Sequence, residues 1–92
     1  MSKESFIYIL TNHYNSVLYI GVSNDLSRRL EEHRQRIFSS FTKRYNIFKL
    51  VHYEKFIRIE DAISREKQLK KWSRNKKDAI ITRSNPEWRN LL

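Results

Sequence analysis

One stretch of the chain, residues 17–37, constrains the fold more than any other. Residues 17–22 are mostly β-branched, aliphatic or aromatic, which is typical of a buried strand, and Gly21 is the only glycine in the chain. Residues 23–25 are of the types that begin helices: Ser-Asn-Asp. The stretch therefore predicts a strand that leads directly into a capped helix.

The predicted helix, from residue 26 to about residue 37 or 38, carries two polar side chains on its apolar face. A rotation of about 100° per residue places three apolar residues on one face: Leu26, Leu30 and Ile37. Arg29 and His33 fall on that same face, whereas Arg28 points away from it. Burying a guanidinium and an imidazole costs free energy unless the groups line a site. We therefore expect this face to form part of a functional site.

The bulk composition limits the class of protein. Ninety-two residues make one small domain, and 39% hydrophobic content is typical of a globular chain. The absence of cysteine excludes disulfides and thiolate zinc sites and fits a reducing compartment, so we expect a cytoplasmic location. No apolar run approaches the roughly 20 residues of a membrane span, so we expect no membrane partner and no signal peptide.

The net charge indicates the kind of partner. Nineteen Lys and Arg residues against ten Asp and Glu residues give a net charge of +9. Such an excess on a small domain favours a polyanion, and nucleic acid above a membrane surface or a merely solubilising charge. Charge provides affinity but no chemistry, so it does not by itself indicate an enzyme.

The order of predicted elements indicates an α+β fold. Residues 6–11 and 17–23 are predicted strands that a short polar connection joins as an antiparallel hairpin. After the first helix, residues 48–56 are predicted as a third strand and residues 59–74 as a second helix. The apolar stripe of the second helix contains Ile59, Ala62, Ile63, Glu66, Leu69 and Ser73. A short helix over residues 75–83 and a tail that packs Trp88 and Leu91 onto the body complete the chain.

Two segments combine basic with aromatic or polar side chains in ways that suit nucleic acid. The loop at residues 39–46 contains Lys43 and Arg44 beside Phe41 and Tyr45, and such mixtures stack on bases and pair with phosphates. The alternative is that the two rings merely pin the loop to the core. The second segment is a basic cluster that includes Lys67, Lys70 and Lys71, and most of it is expected to form a solvated, phosphate-facing surface.

The residues that interrupt apolar stripes form a candidate catalytic set. Arg29, His33 and Glu66 would meet if the two helix faces came together over the hairpin, where Tyr8 and Tyr19 could join them. Arginine stabilises charge that develops on a phosphate. A lone carboxylate can hold Mg²⁺ through one ligand, with water and phosphate completing the shell. Tyrosine or histidine can accept a proton from water or position it.

Each of these residues also has a purely structural interpretation. Arg29 and Glu66 could form a buried ion pair with no catalytic role. His33 could be a hydrogen-bonded core histidine, and Tyr8 and Tyr19 could be ordinary strand aromatics. From the residues alone, a basic nucleic-acid-binding domain and a nuclease both remain open.

At these positions the chain resembles the GIY-YIG nuclease superfamily, and most of all its small stand-alone bacterial members related to the incision module of the excinuclease C subunit. The first family motif corresponds to residues 6–8, Phe-Ile-Tyr, and the second to residues 19–21, Tyr-Ile-Gly. The family's helix with its catalytic arginine is similar to residues 25–30, and the segment with its metal-binding glutamate is similar to residues 65–72. Residues 85–88, Asn-Pro-Glu-Trp, resemble the tail of this subgroup.

The resemblance implies a single GIY-YIG nuclease-like domain over residues 1–92, with a three-stranded antiparallel sheet flanked by helices. It implies cleavage of DNA with one divalent ion, Mg²⁺ or Mn²⁺. The resemblance implies that Arg29 contacts the scissile phosphate, that Glu66 binds the metal ion and that a motif tyrosine helps to activate the attacking water. His33 matches a histidine one turn after the arginine, and Asn85 matches an asparagine that can lie near the site.

The chain departs from the family pattern at two positions. Phe6 stands where the first motif has its glycine, and Tyr8 remains. Val22 stands where some relatives have a lysine, so this chain would act without that group. We expect Gly21 to let the backbone pass close beneath a phosphate.

The leading hypothesis is a metal-dependent DNA endonuclease, non-specific for sequence, that acts on branched or damaged DNA in repair or recombination. The alternative is a catalytically weak or inactive nucleic-acid-binding module on the same fold. A third possibility is a subunit that binds a protein partner through Trp72 and Trp88.

Overall fold

A computed structural model describes residues 4–35 and 44–91, and in them three strands and three helices form the predicted α+β fold. The elements are β1 (Ser5–Thr11), β2 (Leu18–Ser23), α1 (Leu26–Arg34), β3 (Lys49–Phe56), α2 (Ile59–Lys70) and α3 (Arg74–Ser84). The strands form one antiparallel sheet in the order β2-β1-β3. Within this part of the chain, no helix is long and apolar enough to cross a membrane.

The central strand β1 divides the core into two layers, because its side chains alternate between the faces of the sheet. Ile7 and Ile9 pack with Ala62 and Leu69 of α2 and with Ile81 of α3. The other layer, on the α1 face, contains five buried residues: Tyr8, Leu10, Leu30, Ile47 and Leu50. Helix α1 and the α2–α3 pair therefore lie on opposite faces of the sheet.

The hairpin between β1 and β2 is confirmed, and side chains of its connection stabilise it. The Thr11 hydroxyl donates to the Val17 carbonyl at 2.7 Å, and the Asn12 carboxamide oxygen accepts from the Ser16 backbone N–H at 2.8 Å. Asn15 takes the left-handed conformation, with φ of 57°, which asparagine tolerates better than most residues.

Helix α1 begins as the cap residues predict. Asp25 accepts hydrogen bonds from the Arg28 N–H through its carboxylate at 3.2 Å and from the Arg29 N–H through its carbonyl at 3.1 Å. Asp25 is thus the N-cap, and the Ser23 hydroxyl in turn accepts from the Asp25 N–H at 2.9 Å. The cap sets the rotation of α1 and so determines which of its arginines faces the sheet.

The prediction of one helix over residues 59–74 is wrong at its end. Helix α2 stops at Lys70, and Ser73 begins α3 instead, because its side chain accepts a hydrogen bond from the Lys76 N–H at 3.2 Å. Serine is a strong N-cap, and its side chain competes with continuation of the preceding helix.

The predicted apolar stripe of α2 is only partly correct. Ala62 and Leu69 are fully buried, but Ile59 and Ile63 are exposed. The inward face of α2 follows Ala62 and Leu69, which are seven residues apart, so Ile59 and Ile63 lie at its margin.

The C-terminal tail packs on the sheet through its backbone and through Trp88. Trp88 packs against the α2–α3 layer, whereas the predicted packing of Leu91 is wrong because that side chain is exposed. The Leu91 N–H donates to the Leu50 carbonyl at 2.8 Å, and the Asn90 carboxamide oxygen accepts from the Leu50 N–H at 3.1 Å. The tail therefore forms hydrogen bonds with both the N–H and the C=O of Leu50, a residue of the edge strand β3.

Candidate active site

Tyr8 and Gly21 are opposite one another in the β1–β2 pair, and they fit as one unit. A Cβ atom placed on Gly21 would lie 2.5 Å from both Cζ and Oη of Tyr8. No glycine of the described chain has a positive φ, so the position requires glycine for space and not for backbone conformation. The expectation that Gly21 leaves room for a phosphate is corrected: the Tyr8 phenol fills that space.

The second motif tyrosine lies beside the first. Tyr19 faces the same side of the sheet as Tyr8, and the two ring centroids are 6.4 Å apart with an interplanar angle of 32°. Tyr8 is almost fully buried, whereas Tyr19 is half-buried. The pair therefore has an inner and an outer phenol on one face of the hairpin.

Arg29 projects from α1 toward this pair, as the helical spacing predicts. Its side chain is 24% exposed, compared with 62% for Arg28 on the opposite side of the helix. Its Nη1 atom donates to the Glu32 carboxylate at 3.3 Å. Glu32 was not among the residues predicted from the sequence, although its spacing of three residues from Arg29 is typical of helical ion pairs.

Glu66 reaches the site from α2, so the prediction that two helices meet over the hairpin is wrong. Because α1 and α2 cover opposite faces of the sheet, the carboxylate approaches the tyrosines from the other side. The Glu66 side chain is 21% exposed and forms an ion pair with Lys70 on its own helix at 3.5 Å. The alternative interpretation paired Glu66 with Arg29, whereas the salt bridges seen here join each to a residue of its own helix.

The charges of Arg29 and Glu66 act on both phenols. Burial raises the pKa of Tyr8, the charges of Tyr19 and Glu66 raise it further, and the Arg29 guanidinium lowers it. Burial likewise raises the pKa of Tyr19, where Arg29 again opposes and Glu66 adds to the effect. The charges of Arg29 and Glu66 therefore have opposite effects on the pKa of each phenol, and both phenols hold their protons at neutral pH.

A basic groove adjoins the outer tyrosine. Leu18, Tyr19 and Ile20 of β2 line it with Lys70 and Lys77, and its volume is about 280 Å³. The sequence-predicted Lys67, on α2, and Lys71, which follows the helix as its C-cap, are both exposed. Lys77, on α3, belongs to the basic cluster predicted from the sequence, and the turn at Ser73 brings it beside β2.

The remaining sequence-predicted residues have different positions. Arg44 is exposed, with its guanidinium carbon 5.5 Å from the centroid of the Tyr45 ring. Lys43 lies outside the described residues, and so does the side chain of His33, although its backbone belongs to α1. The role predicted for His33 stays a prediction.

Asn85 is buried, and its amide is used by the chain's own backbone. Its Nδ2 donates to the carbonyls of Val51 at 3.1 Å and Arg89 at 2.8 Å, and its Oδ1 accepts from the Arg89 N–H at 3.1 Å. These bonds tie the tail to β3. We therefore leave Asn85 out of the nucleic-acid surface that the sequence predicted for it.

The arrangement of potential metal-binding side chains in the described residues is compatible with a metal ion that few protein ligands hold. Among residues 4–35 and 44–91, no group of three or more His, Cys, Asp or Glu side chains could hold a metal together. A partly exposed, single carboxylate such as Glu66 suits Mg²⁺, which keeps several waters and uses one or two carboxylates with substrate phosphates.

Comparison with protein families shows the class of this domain. The chain belongs to the GIY-YIG catalytic domain family, a nuclease family, whose model matches residues 4–78.

Relatives extend over nearly the whole chain. The chain is 36% identical over 86 residues to UPF0213 protein lmo0166 of Listeria monocytogenes, covering 94% of each chain. It is 36% identical over 88 residues to the UPF0213 protein of Syntrophus aciditrophicus, covering 95% of this chain and 98% of that one. The solution NMR structure of UPF0213 protein BH0048 from Bacillus halodurans superposes with a TM-score of 0.60 at 28% identity, covering 95% of this chain and 92% of that chain.

Proposed function

We propose that this chain is a metal-dependent DNA endonuclease that hydrolyses a phosphodiester bond at the Tyr8–Tyr19–Arg29–Glu66 site. What supports the proposal is that Tyr8 and Tyr19 lie side by side, with ring centroids 6.4 Å apart, and that the partly buried Arg29 and Glu66 both affect the pKa values of these phenols. A guanidinium, a carboxylate and two phenols in one place are the groups that phosphodiester hydrolysis needs.

Each residue has a distinct part in the proposed reaction. Arg29 binds a non-bridging oxygen of the scissile phosphate and stabilises the charge that develops there. Glu66 would hold Mg²⁺ or Mn²⁺; such an ion, when bound, neutralises phosphate charge and acidifies water. Tyr8 or Tyr19 positions the attacking water through a hydrogen bond to its phenol oxygen. To accept the water's proton, that tyrosine must first lose its own proton to solvent, and the Arg29 charge favours the resulting phenolate.

The basic groove beside Tyr19 supports binding through the DNA backbone. Lys70 and Lys77 suit phosphates on either side of the scissile bond, and contacts to phosphates carry no sequence information. We therefore propose cleavage without sequence specificity, on branched or damaged DNA in repair or recombination, and in the cytoplasm.

The test is a cleavage assay with single-stranded, nicked and branched DNA in Mg²⁺ or Mn²⁺. We expect the wild type to cleave and Glu66→Gln to lose activity. Glu60→Gln, an exposed carboxylate on the same helix that pairs with Arg58, is the matched control and should retain activity. Equal rates for wild type and Glu66→Gln would refute the proposed site.

A second candidate function is a nucleic-acid-binding module that does not cleave. The observation that favours it is that both phenols keep their protons, since their pKa values are raised. This candidate predicts salt-dependent DNA binding that survives Arg29→Ala, with no cleavage and no binding of Mn²⁺. Cleavage that depends on Arg29 would exclude it.

A further inference from the structure

A second cavity, of about 480 Å³, lies at the other end of the hairpin from the basic groove. Its apolar wall is an aromatic pair, Phe6 of β1 and Tyr53 of β3, with ring centroids 6.3 Å apart in an edge-to-face arrangement at 60°. Tyr53 is 49% exposed, so part of its ring is open to a ligand. An exposed aromatic ring beside a cavity is a surface on which another flat ring can stack.

The sheet register places this cavity next to the proposed catalytic site. Tyr53 is directly opposite Tyr8 in the β1–β3 pair, so both side chains lie on the same face of the sheet. Phe6 precedes Tyr8 by two residues, which is about 7 Å along a strand. A DNA strand whose phosphate lies at Tyr8 and Arg29 therefore has its neighbouring nucleotide within reach of the cavity.

The polar wall distinguishes a base from a phosphate. It is formed by side chains that are acidic or neutral: Glu4, Asn24, Asp25 and Ser27. No Lys or Arg of the described chain lines this cavity, whereas two lysines line the groove beside Tyr19. Carboxylates repel phosphate but accept hydrogen bonds from the amino groups of bases.

Cations lie just outside this cavity. Lys55 pairs with Glu4 at 3.1 Å, and Arg28 pairs with Asp25 at 3.9 Å. Both are well exposed, so they are placed for the phosphates that flank an inserted nucleotide.

We propose that the Phe6–Tyr53 cavity binds one unpaired nucleobase, which stacks on Tyr53 while the adjacent phosphate occupies the Arg29 site. The inference rests on the proposed function, because it takes DNA as the substrate. A base can enter the cavity only when it is unstacked from a duplex. The cavity thus explains a preference for single-stranded, branched or damaged DNA over intact duplex.

The test measures binding of short fluorescent single-stranded oligonucleotides by anisotropy, in EDTA so that the proposed cleavage is suppressed. Tyr53→Leu keeps apolar area but removes the aromatic face, and we expect it to weaken binding about tenfold. Tyr53→Phe should bind like the wild type. Tyr14→Leu, at a tyrosine that is 83% exposed in the hairpin connection, is the matched control and should also bind like the wild type.

A set of oligonucleotides that each carry one abasic position makes the test independent of folding defects. In the wild type, one abasic position should weaken binding about tenfold, and the same position should have little effect in Tyr53→Leu. If every abasic probe binds the wild type as tightly as the intact strand, the cavity binds no base and the inference is overturned. If the wild type also cleaves these strands, the proposed function survives that result; if it neither binds nor cleaves DNA, both proposals fail.

Discussion

The two faces of the sheet each carry an arginine, a carboxylate and aromatic rings, but they use them differently. On the α2–α3 face, Arg65 donates to Glu54 twice, from Nε at 2.8 Å and from Nη2 at 3.2 Å, and its guanidinium lies 5.1 Å from the Trp72 ring centroid. His52 contacts the same carboxylate at 2.9 Å. On the α1 face, Arg29 pairs with Glu32 at 3.3 Å within one helix.

The difference is whether an ion pair joins two elements of the fold or lies within one helix. The Arg65–Glu54 pair links α2 to β3, and His52 extends it toward α3 through the Ser84 hydroxyl at 3.2 Å. Bonds of this kind hold elements together. A pair within one helix contributes only about 0.2–0.5 kcal/mol, so a phosphate can replace it at little cost. The α2–α3 face is thus suited to stability and the α1 face to a ligand.

The sharpest test of this comparison exchanges each arginine for lysine. Arg29→Lys should lower the cleavage rate by about 100-fold or more with little change in stability, because lysine lacks the planar guanidinium that can bind a phosphate through two hydrogen bonds. Arg65→Lys should keep the cleavage rate but lower the free energy of unfolding by about 1–3 kcal/mol. Cleavage assays and urea denaturation measure both quantities, and equal activity losses in the two variants would break the comparison.

The next largest effect concerns the tight fit of the α1 face. Gly21→Ala should destabilise the fold by about 1–3 kcal/mol, because the new Cβ meets the Tyr8 ring at 2.5 Å. Combining it with Tyr8→Leu should restore part of the loss, and a double-mutant cycle by urea denaturation measures this coupling. Strictly additive effects would show that the contact is not the cause.

Acid sensitivity should belong to the α2–α3 face. Hydrogen bonds from His52 and Arg65 hold the pKa of Glu54 at about 2, below its ordinary value of 4.5, although burial opposes this. The contribution of these Glu54 interactions to the free energy of unfolding is therefore fully present above about pH 5 and is lost as the pH falls toward 2. Allowing for solvent screening, we expect a loss of about 1–2 kcal/mol, which Glu54→Gln should abolish in denaturation curves at each pH. The same loss in Glu54→Gln would contradict this assignment.

The smallest expected effect on stability concerns the α1 face, and it appears only at alkaline pH. Because the pKa values of Tyr8 and Tyr19 are raised above 10.0, the stability linked to their neutral forms is complete below that pH and is lost as the pH rises further. In a tyrosinate absorbance titration, Tyr8 and Tyr19 should ionise later in the folded chain than in denaturant. Tyr8→Phe and Tyr19→Phe should each remove one late transition, and unchanged titrations would refute the assignment.

Much of the fold follows from local pattern. Alternating apolar residues predicted the strands, and Asp25 marked the start of α1. The 100° spacing correctly turned Arg29 inward and Arg28 outward. The break between α2 and α3 was predicted between residues 74 and 75, whereas α2 ends at Lys70 and Ser73 caps α3. Serine is acceptable inside a helix, and only the packing of α2 and α3 around Ser73 determines that it acts as a cap.

The parts of the site that sequence could not predict depend on tertiary contacts. Glu66 was noticed because it interrupts an apolar stripe, but periodicity cannot tell which face of the sheet a helix covers. Asn85 was predicted to lie near the site because it matches an asparagine in the tail of the family, whereas the fold buries its amide. The network around Glu54 was missed because strand alternation does not reveal that Arg65 will lie above it.

The bonding of the tail to Leu50 has a consequence for association between molecules. β3 is an edge strand, and the outward N–H and C=O groups of an edge strand can pair with a strand of another chain. Asn90 and Leu91 bond both groups of Leu50, so a foreign strand cannot pair there without displacing the tail. The tail thus blocks edge-to-edge pairing with another chain at this position of β3.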